Sequence, residues 1–317
     1  MHSLFGLTVA CDALLPGIPW AMQDAPPDVR IGVRRTAAPP PVDASWRLLK
    51  PGQAAWRRPA GQGTDLRLMY ADACGWTDVV IDATGEQVDA RLPPEVAFEE
   101  VAELLTSTVF SAVLGQRGVT VLHACVVEVD GRAICLVGPK EAGKTSLACA
   151  LTGAGGALVA DDVAVLGRGT QGFTVAAGPP RLRVTEPTAG VAGVAWKELE
   201  PIWSQPHGRP AKRRLAVRSA GEDSLRRLVP LGAVYLLEPR DGDTPASVET
   251  AGAADAFGAL VAERHMAHLL EPAGHRRDFA VLRELTERVP VRRLRRPDGL
   301  ASLQDTAATV IADVRGL

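Results

Sequence analysis

A chain of 317 residues is long enough to bury a substantial core, as two domains or one large one. Its balance of 46% hydrophobic and 23% charged residues is that of a soluble globular protein, and a formal net charge of −2 excludes the global basic field that nucleic-acid binding uses. The cysteines at 11, 74, 125, 135 and 149 form no CxxC pair, which predicts reduced thiols and neither a disulfide frame nor a zinc site.

No stretch approaches the roughly 18 uninterrupted apolar residues of a spanning helix, so no membrane role is expected. The opening segment MHSLFGLTVACDALLPGIPW has no basic leader and is interrupted by Asp12 and two prolines. That argues against a signal peptide, leaves a lipoprotein segment before Cys11 as the weaker alternative, and predicts a cytoplasmic protein.

Residues 1–91 are proline-rich, with short apolar runs (PPDVRIGV, PVDASWRLL, TDLRLMYA, TDVVIDATG) that predict short strands and a small β-rich N-terminal domain. The tract TAAPPPVD (36–43) predicts an extended surface connection, because polyproline cannot join a central strand. The pattern changes near residue 92. Pro94 suits a first helical turn, Glu95, Glu99 and Glu100 suit the positive end of the helix dipole, and Val96, Phe98, Val101, Leu104 and Leu105 recur at helical spacing up to a stop at Gly115. The second domain is therefore expected over 92–317.

VTVLHACVVEVD and AICLVG flank Asp130-Gly131, a strong hairpin signal that puts His123 mid-strand. A glycine loop, the helix LACAL, a glycine-rich break and a strand ALVADDVAVL follow. Farther on, AVYLLEP (233–239) and VPVRRL (289–294) read as strands, and ADAFGALVAERHMAHLL and ASLQDTAATVIADV as helices. Strands mixed with helices predict an α/β core, a mixed sheet with flanking helices.

The loop Gly138-Pro139-Lys140-Glu141-Ala142-Gly143-Lys144-Thr145 satisfies G-x-x-x-x-G-K-[ST] between a strand and a helix. In that setting successive backbone N–H groups form a concave nest for phosphate oxygens, and the helix N-terminus adds positive potential. Residues 138–146, Ser146 included, are expected to contact ATP, with Lys144 at the β/γ-phosphates and Thr145 on Mg2+. Only five lysines stand against thirty arginines, so Lys144 is not filler. Lys140 and Glu141 are expected to pair with each other and leave the nest intact. The alternative is a chance glycine turn.

Asp161-Asp162 ends the apolar run ALVA, so a strand would deliver two carboxylates facing opposite ways. One can reach the metal or its water and the other an incoming hydroxyl; the alternative is a turn or helix cap. His123 is either a satisfied core histidine or a neighbour of the phosphates. HGRPAKRRLAVR (207–218) carries Arg209, Lys212, Arg213, Arg214 and Arg218 in a proline-bearing loop, and Arg181 and Arg183 lie in PPRLRV. A cation on the γ-phosphoryl group lowers the barrier, and Lys212 is favoured because lysine is scarce; for any one arginine, solvated surface or an acidic-peptide contact is the better reading. RRLRRP (292–297) predicts a position on or near an edge strand.

The stretch LHACVVEVDGRAICLVGPKEAGKTSLACALTGAGGALVADDVAVL resembles the core of the bacterial HPr serine kinase/phosphorylase family, over roughly residues 118–167. Weaker echoes run on in PPRLRV, LGAVYLLEP and VPVRRLRRPDGL. The resemblance implies a P-loop kinase core of HPr-kinase type. It makes Lys144 a phosphate ligand, Thr145 and Asp161 metal ligands, Asp162 the base for a serine hydroxyl and His123 a neighbour of the reacting phosphate, and it implies a homo-oligomer. The N-terminal 90 residues do not resemble that family's N-terminal domain. The whole chain is more similar to shorter HPr-kinase-like proteins found with ribosomally made peptides, the lasso-peptide kinases among them, which phosphorylate a serine of a precursor peptide. The family's downstream metal glutamate and glycine-rich signature are missing, Glu186 being a poor substitute, which sets HPr itself aside as substrate. The expected function is an ATP- and Mg2+-dependent serine kinase acting on a peptide or small protein. The alternatives are a kinase of a small-molecule alcohol and a non-catalytic nucleotide-binding module.

Overall fold

The computed structural model describes the whole chain except residues 19, 21–24, 51, 53, 73, 74, 171, 204–210, 221–226 and 243. Among the described residues, strands β1 (His2–Leu4), β2 (Leu7–Cys11), β3 (Val29–Arg35), β4 (Arg47–Leu48), β5 (Ala55–Ala60), β6 (Gly63–Asp72), β7 (Gly75–Ile81) and β8 (Gln87–Leu92) form one sheet, ordered β1-β2-β3-β8-β7-β6-β5-β4. The β2–β3 and β3–β8 pairs are parallel and the others antiparallel. Alternate residues point inward, such as Val88, Ala90 and Leu92 of β8, which is the period-two pattern of a half-buried strand. Four of these strands follow the expected apolar runs; β1, β2, β5 and β8 lie outside them.

The helical stretch starts at Phe98, not at Pro94, because Ala97 is still extended (φ −63°, ψ 142°). It runs as α1 (Phe98–Leu104), a π-helical turn Leu105–Val109, and α2 (Phe110–Gln116). Around the wide turn the hydroxyls of Thr106, Ser107 and Ser111 donate to the carbonyls of Ala102, Glu103 and Ser107, four residues back.

The rest of the chain is a second mixed sheet with helices on it. Its elements are β9 (Thr120–Leu122), β10 (Ala124–Val129), β11 (Arg132–Val137), α3 (Lys144–Gly153), β12 (Ala157–Ala160), β13 (Ala164–Gly169), β14 (Gly172–Ala176), β15 (Arg181–Val184), α4 (Glu186–Val191), β16 (Glu200–Pro201), β17 (Arg213–Ala216), β18 (Leu228–Leu237), β19 (Ser247–Thr250), α5 (Ala253–Ala262), α6 (Pro272–Arg288), β20 (Val291–Arg295) and α7 (Leu303–Arg315). The order is β12-β10-β11-β18-β14-β13-β9. The long strand β18 pairs with β14 through its first residues and with β11 and β20 through its later ones, and β19 closes the β20 side. A small sheet β15-β17-β16 stands apart. The fold is mixed α/β.

The β10–β11 hairpin turns at Asp130 and Gly131, both with positive φ (48° and 82°), as an Asp-Gly link favours. Its strands are buried on both faces. Ala133, Cys135 and Val137 face a core continuous with the N-terminal sheet, and Ile134 and Leu136 face a second core under α3 and α7. That double burial explains the unbroken apolar run AICLV.

Several expectations need correction. The strand ALVADDVAVL is two strands, because the chain turns at Asp162 (φ 73°), a left-handed conformation that Asp tolerates better than most residues. His123 lies not within a strand but between β9, which pairs with β13, and β10, which pairs with β11 and β12. The helix expected over 254–270 stops at Ala262. Arg264 then bridges to Leu122, and Met266 takes φ 53°. β20 sits between β18 and β19, the outermost strand on that side among the described residues, so 292–295 lies next to an edge, as expected. Residues 213–216 form a strand within the expected 207–218 loop, whereas Arg209 lies outside the described residues. Helix α6 was not anticipated.

No helix among the described residues is long and apolar enough to cross a membrane. Cys125, Cys135 and Cys149 are buried and unbridged, Cys11 is half-buried and unbridged, and Cys74 lies outside the described residues.

Candidate functional site

The glycine loop leaves the carboxyl end of β11 and enters α3 at Lys144. Gly143 makes the entry in the left-handed region (φ 86°, ψ 22°). Gly138 is tightly enclosed: a Cβ there would meet Leu237 Cβ and Ala142 Cβ at 3.3 Å and the Leu237 carbonyl at 3.4 Å. Two arginines hold the loop from outside. Arg296, itself buried, donates to the carbonyls of Ala142 and Glu238, and Arg240 donates to the Glu141 carbonyl at 3.3 Å. Burial, with Arg240 nearby, lowers the Arg296 pKa to about 10. These bonds turn loop carbonyls toward the protein.

Lys144 is 8% exposed, and its ammonium donates to the Gly138 and Pro139 carbonyls at 2.5 and 3.0 Å. Burial lowers its pKa, opposed by the charges of Glu263, Asp162 and Asp161. Thr145 follows on the first turn of α3, and its hydroxyl donates to Asp161 Oδ1 at 3.1 Å. The Ser146 hydroxyl instead meets Thr188 Oγ1 at 2.9 Å. Lys140 and Glu141 are exposed, with Lys140 Nζ 4.0 Å from Glu141 Oε1. Pro139 and Ala142 contribute backbone, the Ala142 N–H closing a turn onto the Pro139 carbonyl at 3.1 Å.

The carboxylates are separated in role by the turn at Asp162. Asp161 points into the fold: Oδ1 also accepts from Cys125 Sγ at 3.3 Å, and Oδ2 accepts the Arg183 backbone N–H at 2.9 Å. Asp162 is held from two sides. Arg183 Nη2 lies 2.5 Å from Oδ2, and His123 Nδ1 lies 3.1 Å from Oδ1 and 3.3 Å from the Asp162 carbonyl. Both partners of that nitrogen are acceptors, so His123 Nδ1 carries the hydrogen. Burial by itself would raise the Asp162 pKa, but Arg183 and His123 overcome it and hold the carboxyl far below the ordinary range.

Arg183, on β15, is the hub. It reaches Asp161 at 3.6 Å and Glu103 of α1 at 3.5 Å as well as Asp162. Glu103 in turn lies 3.0 Å from Arg181 and 3.8 Å from Arg214. Burial works against the Arg183 charge, but the carboxylates outweigh it and raise its pKa. The last neighbour is His265, whose ring stacks on His123 with centroids 5.6 Å apart and planes at 27°. Burial lowers its pKa to about 4.

The structure thus brings together Lys144, Thr145, Asp161, Asp162 and His123. Lys212 lies one residue beyond the Val184–Arg213 end of the β15–β17 ladder, with its carbonyl accepting the Ile202 N–H at 3.2 Å, and it makes no contact with these residues among the described interactions. Arg213 covers the Trp196 ring and Arg218 binds the Gly155 carbonyl, so both are engaged elsewhere. Glu186, the first residue of α4, is exposed. Glu103 and His265 carried no sequence signal. Arg183 was one cation among many, and only the fold sets it against both aspartates. Thr145 and Asp161 offer hard oxygen donors 3.1 Å apart, a set that suits Mg2+, and the loop geometry suits a phosphate chain.

No family model matches the chain, and no curated protein matches it. Among solved structures it is similar to the Hpr(Ser) kinase/phosphatase from Coxiella burnetii, with 12% identity over 62% of this chain and 97% of that one and a TM-score of 0.31.

Proposed function

We propose that this protein is an ATP- and Mg2+-dependent kinase that transfers the γ-phosphoryl group to a hydroxyl, a serine of a peptide or small protein. The observation that carries the reading is the link from Thr145, at the mouth of the glycine loop, through Asp161 to an Asp162 that stays ionised under Arg183 and His123.

In this reading Lys144 trades two carbonyl acceptors for phosphate oxygens, and Thr145 and Asp161 hold the metal. Mg2+, when bound, neutralises charge on the β- and γ-phosphate oxygens. Asp162 accepts the serine O–H hydrogen bond and aligns the oxygen. The serine O–P bond forms as the bond to the β-phosphate oxygen breaks, and the proton passes to Asp162. A carboxylate held so strongly ionised is a weak base. It suffices because the transition state is loose and the proton leaves late, so positioning does most of the catalysis. The N-terminal unit, residues 1–91, is assigned the acceptor side, where it would cover or dock the peptide.

The test is incubation with labelled ATP, Mg2+ and serine-containing precursor peptides. Label on a peptide serine is expected, and Asp162→Asn should abolish transfer by about 100-fold or more while retaining nucleotide. Label on a small alcohol only would move the acceptor class. Transfer at the normal rate by the variant would sink the base assignment.

A further inference from the structure

We infer that His123, Asp162 and His265 form a site for one transition-metal dication, distinct from the Mg2+ position at Thr145 and Asp161. The three residues each offer a ligand atom, and these atoms lie within 4.8 Å of one another. They come from three separate segments: the β9–β10 junction, the turn after β12, and the break after α5. The His123 Nδ1 to Asp162 Oδ1 distance of 3.1 Å is close to the edge of a coordination polyhedron with bonds of about 2.0–2.1 Å, so an ion can replace the proton the two now share. His265 Nδ1 is a buried nitrogen with no hydrogen-bond partner, which an ion bound to it would satisfy directly.

Two imidazoles and one carboxylate leave open positions and select zinc-, cobalt- or iron-class ions over Mg2+, which prefers oxygen donors. The surroundings agree. Arg183 on Asp162 Oδ2 leaves Oδ1 for the ion and fixes the carboxylate as an outer-shell partner does. Its charge weakens attraction for any cation, which further disfavours a loosely held hard ion. Binding would take Asp162 away from an incoming hydroxyl, so zinc at this site would inhibit the transfer proposed above. The site itself does not depend on that reading.

The tag-free, metal-stripped full chain titrated with Co2+ should develop a visible d–d band saturating at one equivalent, displaced by Zn2+ and retained in excess Mg2+. His265→Phe keeps a ring against His123 and should weaken Co2+ binding at least tenfold with the circular dichroism spectrum unchanged. Should that variant misfold, pulsed electron resonance of Cu2+ on the wild-type chain decides: coupling to two imidazole nitrogens is expected, and coupling to none overturns the site. Unchanged affinity in folded His265→Phe overturns it too, as does a band that survives that change but is lost in Cys125→Ser.

Discussion

Replacing Arg183 by methionine tests the electrostatics of the site most severely. The guanidinium is 16% exposed and touches Asp162 at 2.5 Å, Glu103 at 3.5 Å and Asp161 at 3.6 Å, all partly or fully buried. Methionine fills similar space but leaves these carboxylates short of a cation, and breaking a buried pair from one side costs about 3–5 kcal/mol. Glu103 keeps Arg181, so the lower half of that range is expected. The pH dependence identifies the cause. In the wild type Asp162 is depressed, so its contribution is present above the unfolded value of about 3.9 and fades as pH falls below it. In the variant only His123 still opposes burial, and the Asp162 pKa rises toward the ordinary carboxylate range. The folded variant then takes up a proton at a higher pH than the folded wild type, and its deficit shrinks by about 1.4 kcal/mol per pH unit below the new pKa. Urea unfolding of both proteins at pH 7 and pH 3 measures it. A deficit under about 1 kcal/mol, or one equal at both pH values, would refute the reasoning.

Lys144→Ala should weaken MgATP binding by at least tenfold in a fluorescent-nucleotide titration; unchanged affinity would remove the phosphate role. His265, with its pKa lowered to about 4, stays neutral in the fold while the unfolded chain takes up a proton below about 6.5. Stability should therefore fall as pH drops from about 6.5 to 4, by up to roughly 3 kcal/mol, and His265→Phe should flatten that slope in urea titrations. Arg296→Met frees the Ala142 carbonyl and should raise the KM for ATP several-fold with a smaller change in kcat; an unchanged KM would separate the clamp from the loop's function.

What could be read from the sequence was local. The Asp130-Gly131 hairpin and the glycine loop entering α3 are written in adjacent residues whose backbone preferences act over one turn. The split at Asp162 was not, because unbroken apolar runs stand on both sides of the aspartates and only a positive φ on one of them redirects the chain. His265 was hidden inside an apparent helix. The apolar spacing persists past Ala262, but pairing of Arg264 with Leu122 ends the helix and turns the histidine onto His123. Arg183 and Glu103 are 80 residues apart and meet as an ion pair only in the folded chain, which no window of sequence contains. Lys212 was favoured on scarcity alone, and scarcity says nothing about direction.

The account stands on main-chain amides of residues 139–146 closing around a triphosphate. Amide hydrogen exchange of the full chain, with and without ATP and Mg2+, measures that directly. Exchange in the segment spanning Glu141 to Ser146 should slow by at least tenfold on adding both, and not with Mg2+ alone. Exchange there that is unaltered by saturating nucleotide would contradict the account.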